Sequence, residues 1–263
     1  MGSPFRVVII TGASSGLGAS LAKAYAGSQV ALGLLGRNCQ RLSATARACE
    51  VKGATVSVAA VDVADAAAMA TFLRQFDREY PVDLLIANAG TSAGPDPDFP
   101  SEGVDAATRQ VRVNLLGAIN TIEPLLPEFC LRGHGRIAVV ASIAAYRGLP
   151  YSPGYCASKA GLRAYAEALR PRLEPRGIGV TIVCPGFFDS PDDRSFRRAN
   201  PAPPERRRRC SDHQARHRSR SASGRLSVAS RPRPAILRCR AGDYWRCDPA
   251  ALPLPYTLDL SMR

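Results

Sequence analysis

The feature that most constrains this chain is a regular alternation of short apolar runs with helix-length segments, between Phe5 and Cys184. Runs rich in aliphatic and β-branched residues predict six strands, at 6–11, 29–35, 55–62, 82–88, 135–142 and 177–184. Helix-length segments lie between them, near 16–27, 38–52, 65–79, 104–131 and 155–174. This order is typical of βαβ units, whose right-handed crossovers place helices on both faces of a parallel sheet. The sequence therefore predicts one α/β domain with a doubly wound parallel sheet, over residues 1–190.

A glycine-rich segment follows the first predicted strand and opens the first predicted helix. It reads Thr-Gly-Ala-Ser-Ser-Gly-Leu-Gly over residues 11–18. Glycines at a strand-to-helix turn let backbone N–H groups and the helix N-terminus approach a pyrophosphate. No Gly-Lys-Ser/Thr follows, so the segment is not a P-loop, and an ordinary glycine turn is the alternative. The residues predicted to bind a nucleotide here are Gly12, Ser14, Ser15, Gly16, Leu17 and Gly18.

The end of the second predicted strand indicates which dinucleotide is bound. The chain there reads Leu-Gly-Arg-Asn, with Arg37 where an acidic residue would bind the adenosine 2′-hydroxyl of NAD(H). A planar, permanently charged guanidinium suits a 2′-phosphate instead, which favours NADP(H) over NAD(H). A solvated surface arginine is the alternative. The residues expected to hold the adenine and to close that side of the cleft are Asp62, Val63, Asn88, Ala89 and Gly90.

A tyrosine and a lysine stand one helical turn apart near the start of the last predicted helix. In Tyr-Cys-Ala-Ser-Lys, Tyr155 and Lys159 are four residues apart and share one helix face. The ordinary pKa of tyrosine, about 10, is too high for a base near neutrality, but a nearby ammonium favours the phenolate. Such a pair also occurs by chance, so it indicates acid–base chemistry only in the company of other motifs.

Several motifs that follow one another in a fixed order make the chain similar to a known family. They are the glycine-rich turn at 11–18, Asn-Ala-Gly at 88–90, Val-Asn-Leu at 113–115, Ser142, Tyr-x-x-x-Lys at 155–159 and Pro-Gly at 185–186. Together they resemble the short-chain dehydrogenase/reductase family from residue 5 to about residue 190. The one altered position is Ala87, where the family usually has the first asparagine of Asn-Asn-Ala-Gly. The resemblance implies a Rossmann-type α/β fold and an oxidoreductase that transfers hydride between NADP(H) and a carbonyl or alcohol.

The resemblance also implies a role for each matching residue. Tyr155 is expected to be the general acid/base that exchanges a proton with the substrate oxygen. Lys159 is expected to lower the pKa of that tyrosine and to bind the nicotinamide ribose. Ser142 is expected to hydrogen-bond the substrate oxygen where charge develops, and Asn114 to hold a water that connects the lysine to solvent.

Pro185 and Gly186 are implied to line the nicotinamide pocket. In this family the segment after Pro-Gly covers the substrate, and one more helix and a seventh strand then complete the sheet. Members are commonly dimers or tetramers, with helices like those near 104–131 and 155–174 at one interface. We therefore expect a small-molecule carbonyl or alcohol substrate, a homo-oligomer, and no nucleic-acid or membrane partner. A catalytically inactive nucleotide-binding regulator is the alternative, although such a protein would be expected to lack the tyrosine or the lysine.

The composition changes abruptly after Ser190. Residues 191–263 hold 17 arginines, 9 prolines and 8 serines but no lysine, and they carry most of the net charge of +13. A disordered basic arm is one interpretation; a nucleic-acid arm is another, but the charges lack interleaved aromatics. We favour a frameshift near codon 191, because a GC-rich gene read out of frame gives this composition. The last strand and helix are then missing or scrambled, and this chain is expected to show weak or no turnover.

Composition argues against several other classes of protein. The eight cysteines form no Cys-x-x-Cys pair and no zinc-ligand spacing, so we expect no metal site and a reducing compartment. No run of about 18 apolar residues occurs, which argues against a membrane-spanning helix. The first ten residues do not show the pattern of a signal peptide. These features predict a cytoplasmic protein.

Overall fold

The predicted parallel sheet is confirmed, with six strands in the order β3-β2-β1-β4-β5-β6. The computed structural model describes residues 5–93, 101–150 and 152–186. Every neighbouring pair of these strands is parallel. Their bounds lie within two residues of the predicted ones: β1 (Val7–Thr11), β2 (Ala31–Gly36), β3 (Thr55–Ala60), β4 (Leu84–Ala87), β5 (Gly135–Val140) and β6 (Ile178–Val183).

The helices lie between the strands, as the alternation predicts. They are α1 (Gly16–Tyr25), α2 (Cys39–Glu50), α3 (Ala66–Glu79), α4 (Val104–Val111), α5 (Gly117–Ile122), α6 (Leu126–Arg132) and α7 (Pro153–Leu173). Two begin with side-chain caps: Asn38 accepts a hydrogen bond from Arg41 N at 2.9 Å, and Asp65 accepts one from Ala68 N at 3.0 Å. Such caps satisfy N–H groups that have no acceptor inside the helix, so they fix where α2 and α3 start.

The helix-length segment predicted near 104–131 is helical from Val104 to Arg132, but it is not one uniform α-helix. A π-helical turn at Arg112–Leu116 separates α4 from α5, and a 3₁₀ turn at Glu123–Leu125 separates α5 from α6. Pro124 and Pro127 lie at this second break. Proline lacks the N–H that an α-helix needs and clashes with the preceding turn, which explains the break.

Apolar side chains on both faces of the sheet form two cores. In β1, Ile9 points into the core made with α3, α5, α6 and α7, whereas Val8 and Ile10 point into the core made with α1 and α2. Gly33 lies within β2, where an added Cβ would come 3.3 Å from the ring of Phe76. The glycine thus lets α3 pack directly on the strand. Burial on both faces explains why β1, β2 and β4 read as continuous apolar runs.

The strand order reverses between β1 and β4, and this point determines where a site can form. The chain proceeds from β1 outward to β3 and then returns to β4 on the other side of β1. In an open parallel sheet, the loops at the carboxyl ends of such strands diverge and leave a crevice. The residues singled out in the sequence follow the carboxyl ends of these strands.

Two sequence predictions lie outside the described residues. The domain boundary at residue 190 and the frameshift near codon 191 concern residues after 186 and stay predictions. Within the part of the chain that the structure describes, no helix is both long enough and apolar enough to span a membrane. In the same part, no group of three or more histidine, cysteine or acidic side chains is arranged to hold a metal ion.

Candidate active site

A cleft of about 540 Å³ runs along the carboxyl ends of the strands. Nearly every residue predicted for the site lines it, and Asn114 is the exception. The predicted residues that line the cleft are Gly12, Ser14, Ser15, Gly16, Leu17, Gly18, Arg37, Asp62, Val63, Asn88, Ala89, Gly90, Ser142, Tyr155, Lys159, Pro185 and Gly186.

The glycine-rich turn after β1 is built so that only glycine fits at two positions. Gly12 has φ +70°, and a Cβ there would lie 2.9 Å from Ala89 Cα. A Cβ on Gly18 would collide with the Gly12 carbonyl oxygen. The N-cap of α1, Ser15, makes no side-chain capping bond. The first N–H groups of α1 therefore stay available to an anion in the cleft.

Thr11 holds the two central strands together at the reversal point. Its Oγ1 accepts hydrogen bonds from the backbone N–H of Asn88 and of Ala89, each at 3.1 Å. The Asn88 side chain donates in return to the Thr11 carbonyl at 2.9 Å. Thr11 was not predicted as a site residue, although its place at the start of the glycine-rich motif is the signal that could have found it. It fixes the floor of the cleft.

The guanidinium of Arg37 lies at the end of the cleft formed by β2 and β3. Arg37 and Asp62 form an ion pair with an N–O distance of 3.9 Å, and their side chains are 66% and 44% exposed. Asn38 and Arg41 line the same wall, and neither was predicted. An exposed, long ion pair stabilises little, so the guanidinium is free to bind another anion.

Three predicted catalytic side chains meet at the other end of the cleft. Ser142 lies just after β5, and its side chain is hydrogen-bonded to that of Tyr155 in the first turn of α7. Ser142 Oγ also accepts from Ala144 N at 3.1 Å. Lys159 Nζ lies 5.9 Å from the centre of the Tyr155 ring and donates to the Val140 carbonyl at 2.8 Å. A hydroxyl pair with a buried ammonium beside it can exchange a proton with a bound oxygen.

Burial dominates the protonation of both the tyrosine and the lysine. It raises the pKa of Tyr155 above the ordinary value, while the hydrogen bond with Ser142 acts in the opposite direction. Burial lowers the pKa of Lys159 to about 8. The lowering of the tyrosine's pKa by the lysine, which the family resemblance implies, stays a prediction. Loss of water around the lysine disfavours its charged form, which explains the direction of the lysine's own pKa shift.

Asn114 lies behind the cleft rather than in its wall. It sits in the π-helical turn, where its Oδ1 accepts from Thr91 N at 2.7 Å and its Nδ2 donates to Thr91 O at 2.9 Å. Nδ2 also donates to Ser158 Oγ at 2.9 Å. A Cβ on Gly90 would come within 3.3 Å of Asn114 Oδ1 and 3.4 Å of Lys159 Nζ. Asn114 therefore holds the loop after β4 and α7 in place around the lysine.

The loops after β5 and β6 close the cleft at this end. Ile143 N donates to the Pro185 carbonyl at 3.1 Å, which ties the two loops together. Several residues of this wall were not predicted, because they lie in loops that carry no motif. The cleft-lining residues that the sequence reasoning missed on this side are Thr91, Ser92, Ile143, Ala144, Leu149, Pro150 and Ser152.

Two curated relatives illustrate the range of similar proteins. The ketoacyl reductase HetN of Nostoc sp. is 33% identical over 183 residues, which cover 69% of this chain and 63% of that protein. An uncharacterized oxidoreductase of Myxococcus xanthus is 36% identical over 188 residues, which cover 71% of this chain and 73% of that protein. The chain thus spans less than two thirds of the Nostoc relative's length.

Solved structures with the same fold are numerous, and three show its range. Levodione reductase matches 74% of this chain and 77% of its own at 26% identity, with a TM-score of 0.67. An NAD⁺-bound xylitol dehydrogenase matches 70% and 71% at 27% identity, with a TM-score of 0.65. An alcohol dehydrogenase from the archaeon Thermococcus sibiricus, complexed with 5-hydroxy-NADP, matches 70% and 77% at 28% identity, with a TM-score of 0.63.

The family assignment rests on most of the chain. The sequence profile of the family described as short chain dehydrogenase matches residues 6–201. This range contains the whole described sheet and every residue of the cleft. From its sequence, its fold and the arrangement of its site, the chain belongs to the short-chain dehydrogenase family of oxidoreductases.

Proposed function

We propose that this protein is an NADP(H)-dependent oxidoreductase that interconverts a small-molecule carbonyl and its alcohol, with Tyr155 as the general acid/base. The observation that carries the proposal is the meeting of three side chains at one end of the cleft. Ser142, Tyr155 and Lys159 converge there from two different elements. Such a cluster, beside a nucleotide-sized groove, suits proton exchange with a substrate oxygen.

The shape and donors of the cleft support a nicotinamide dinucleotide. The glycine turn leaves a backbone cradle that a Cβ would fill, and the uncapped start of α1 offers N–H groups to a pyrophosphate. The relatives' structures include one with NAD⁺ and one with an NADP derivative. Arg37, exposed and loosely paired, favours the 2′-phosphate of NADP(H).

The residues of the chain divide the chemistry among them. A bound nicotinamide ring donates or accepts the hydride. Tyr155 passes its hydroxyl proton to the substrate oxygen in the reduction and takes it back in the oxidation. Ser142 stabilises the developing negative charge on that oxygen through a preorganised hydrogen bond. Lys159, held by the Val140 carbonyl, stabilises the tyrosinate by its positive charge.

Replacement of the tyrosine hydroxyl tests the proposal. We expect Tyr155→Phe to lower kcat for NADPH-dependent carbonyl reduction by about 10²- to 10⁴-fold, the usual contribution of a positioned acid. NADPH binding, followed by its fluorescence, is expected to change little. A panel of aldehydes and ketones serves as substrate.

Tyr146→Phe is the matched control. Tyr146 is exposed, and its ring stacks on Arg163 with the guanidinium carbon 4.6 Å from the ring centre. It does not line the cleft, and among the described residues its hydroxyl makes only a long contact of 3.8 Å with Cys184 Sγ, so the hydroxyl is expected to be dispensable. Equal activity of the Tyr155→Phe and wild-type proteins would overturn the acid/base role. NADPH binding without turnover of any carbonyl or alcohol, by the chain with one base corrected near codon 191 as well as by the 263-residue chain, would favour a nucleotide-binding regulator.

A further inference from the structure

Two buried polar side chains, Glu102 and Gln110, lie against the first turn of α7. Glu102 precedes α4 and is 8% exposed, and Gln110 in the last turn of α4 is fully buried. Neither belongs to the motifs found in the sequence, and neither lines the cleft. Buried polar groups reduce stability unless they are hydrogen-bonded, so their partners indicate why they are there.

Their hydrogen bonds form a chain between two walls of the site. Ala93 N donates to Gln110 Oε1 at 3.0 Å, and Gln110 Nε2 donates to Glu102 Oε2 at 2.9 Å. The same carboxylate oxygen accepts from Gly154 N at 2.9 Å. The chain therefore runs from the loop after β4, through α4, to the start of α7.

The backbone N–H of Gly154 needs the Glu102 carboxylate as an acceptor because Gly154 lies at the start of a helix. It is the second residue of α7, and the N–H groups of the first turn have no acceptor within a helix. Ser152, which precedes the helix, makes no side-chain capping bond. Glu102 thus caps α7 from a different element, and its negative charge suits a helix N-terminus. The next residue along the chain is Tyr155.

Close packing leaves α7 little freedom at this point. A Cβ on Gly154 would lie 2.6 Å from Glu102 Oε2 and 2.7 Å from Ala107 Cα. The backbone of α7 therefore rests directly on α4, one residue before the tyrosine. A shift of Glu102 or of α4 would move the first turn of α7 and the Tyr155 hydroxyl with it.

The other end of this series of hydrogen bonds, at Gln110, holds the loop after β4. This loop faces Tyr155 across the cleft. Asn114 binds both backbone groups of Thr91, and Gln110 binds the N–H of Ala93, two residues further on. Thr91 and Ser92 line the cleft. The hydrogen bonds of Glu102 and Gln110 therefore set the distance between this loop and α7.

A buried carboxylate is a costly way to join two helices. Glu102 Oε1 is buried and has no hydrogen-bond partner among residues 5–93, 101–150 and 152–186. Apolar side chains of similar size would pack there without the cost of removing a charge from water. Directional bonds, however, fix a geometry that apolar contacts do not. We propose that Glu102 and Gln110 are positioning residues that hold the Tyr155 hydroxyl at the distance proton transfer requires; this inference rests on the proposed function.

The first test compares two substitutions of the glutamate. Glu102→Ala removes the acceptor, and we expect kcat to fall about 10- to 100-fold, because small misplacements of a reacting group cost that much. The dissociation constant of NADPH and its KM are expected to stay close to wild type. Glu102→Gln keeps an oxygen for Gly154 N and for Gln110 Nε2, so kcat is expected to recover. Glu50→Ala, at an exposed site on α2, is the control.

A second pair of variants keeps the test decisive if Glu102→Ala does not fold. Gln110→Glu places two carboxylates against each other and is expected to lower kcat. Gln110→Met keeps the length of the side chain but removes its bonds to Ala93 N and to Glu102 Oε2. A lower kcat in Gln110→Met, with the dissociation constant of NADPH close to wild type, supports the positioning role. Activity of the Gln110→Glu variant equal to wild type would overturn it.

Hydrogen exchange separates this inference from the proposed function. The Gly154 amide owes its protection to Glu102, so we expect its exchange in Glu102→Ala to be about 10- to 100-fold faster, the worth of a hydrogen bond to a charged group. No carbonyl turnover by the 263-residue chain or by its frame-corrected form, together with this exchange pattern, would refute the proposed function and leave the helix coupling in place. The positioning role would be refuted if the wild type turned over its substrate but Glu102→Ala had the same kcat as wild type. It would also be refuted if the Gly154 amide of Glu102→Ala exchanged at the wild-type rate.

Discussion

Lys159 is the most strongly perturbed charge among the residues proposed to carry out the chemistry. Its side chain is 3% exposed, and burial lowers its pKa from 10.5 to about 8. One hydrogen bond, to the Val140 carbonyl, compensates for part of the water it has lost. Near neutral pH the Lys159 ammonium is therefore charged in the folded protein, and the burial of this charge lowers the free energy of unfolding.

This charge predicts how stability changes with pH. Between about pH 8 and pH 10.5 the unfolded chain keeps the Lys159 proton, whereas the folded chain loses it. Because the unfolded state then binds more protons, the free energy of unfolding rises with pH in this window, by about 1.4 kcal/mol per pH unit. Urea unfolding of wild type and Lys159→Met at several pH values isolates this contribution. A constant difference between the two proteins across the window would contradict it.

Arg37 predicts the choice between the two dinucleotides. We expect Arg37→Ala to raise KM for NADPH about 10- to 100-fold, because a hydrogen bond between charged groups is worth about 1.5–3 kcal/mol. KM for NADH is expected to stay the same, since that molecule has no 2′-phosphate. Arg47→Ala, on the exposed surface of α2, controls for loss of charge. Equal effects on NADPH and NADH would show that Arg37 does not contact the phosphate.

Except for Asn114, the predicted residues of the motifs could be placed in the cleft from the sequence, as could Arg37, Asp62 and Val63 from their positions at strand ends. The glycines of the first turn, Tyr155 and Lys159 are recognisable because close approach or proton transfer restricts the residue type at each position. Arg41 and Leu149 line the same cleft, but many residue types could do so. Their positions depend on how loops from distant parts of the chain fold over one another.

A buried ion pair joins α3 to the end of α6. Asp77 is 5% exposed and makes two bonds with Arg132, at 2.7 and 2.9 Å. The Asp77 Oδ1 atom also accepts from Val82 N at 3.0 Å, just before β4. This group of bonds fixes two helices and the entry to a central strand.

Removal of one partner of this pair is expected to be strongly destabilising. Asp77→Ala leaves the Arg132 guanidinium largely buried without its partner, which typically costs about 3–5 kcal/mol. Glu167→Ala breaks the more exposed pair with Arg163 on α7, at 2.7 Å, and is expected to cost about 0.5 kcal/mol. Chemical denaturation measures both. Similar losses of unfolding free energy in the two variants would mean that burial does not determine how much these ion pairs stabilise the protein.

The strands were predictable because they are short apolar runs, largely buried on both faces in β1, β2 and β4. The break between α5 and α6 coincides with Pro124 and Pro127, whereas the π-helical turn between α4 and α5 has no such marker in the sequence. The π-helical turn depends on contacts that Asn114 makes with Thr91 and Ser158. These contacts join positions 23 and 44 residues apart in the sequence, so no local pattern reveals them.

The edge of the sheet at β6 is relevant to the solubility of the protein. Among the described residues, β6 pairs on one side only, with β5. The family profile ends at residue 201, eleven residues past the predicted boundary. Members of the family use the following segment to cover the substrate and to complete the sheet. A strand edge that stays unpaired favours aggregation.

The frameshift hypothesis predicts that a chain with one base corrected near codon 191 is more stable and more active. We expect the chain with one base corrected near codon 191 to be more soluble, and to oxidise NADPH with a carbonyl substrate faster than the 263-residue chain. Resequencing of codons 185–200 and parallel expression of both chains provide the comparison. Robust turnover by the 263-residue chain would show that its own C-terminal sequence supports the site.

The π-helical turn at Arg112–Leu116 determines how α4 and α5 are rotated relative to one another about the helix axis. An α-helix turns about 100° per residue, and a π turn is equivalent to one inserted residue. Before it, α4 presents Gln110 to the active-site loop; after it, α5 buries Ile122 in the core. Loss of a single codon here would keep the helix intact yet rotate one half against the other. Outside Asn114, this segment is therefore expected to tolerate substitutions better than changes in length.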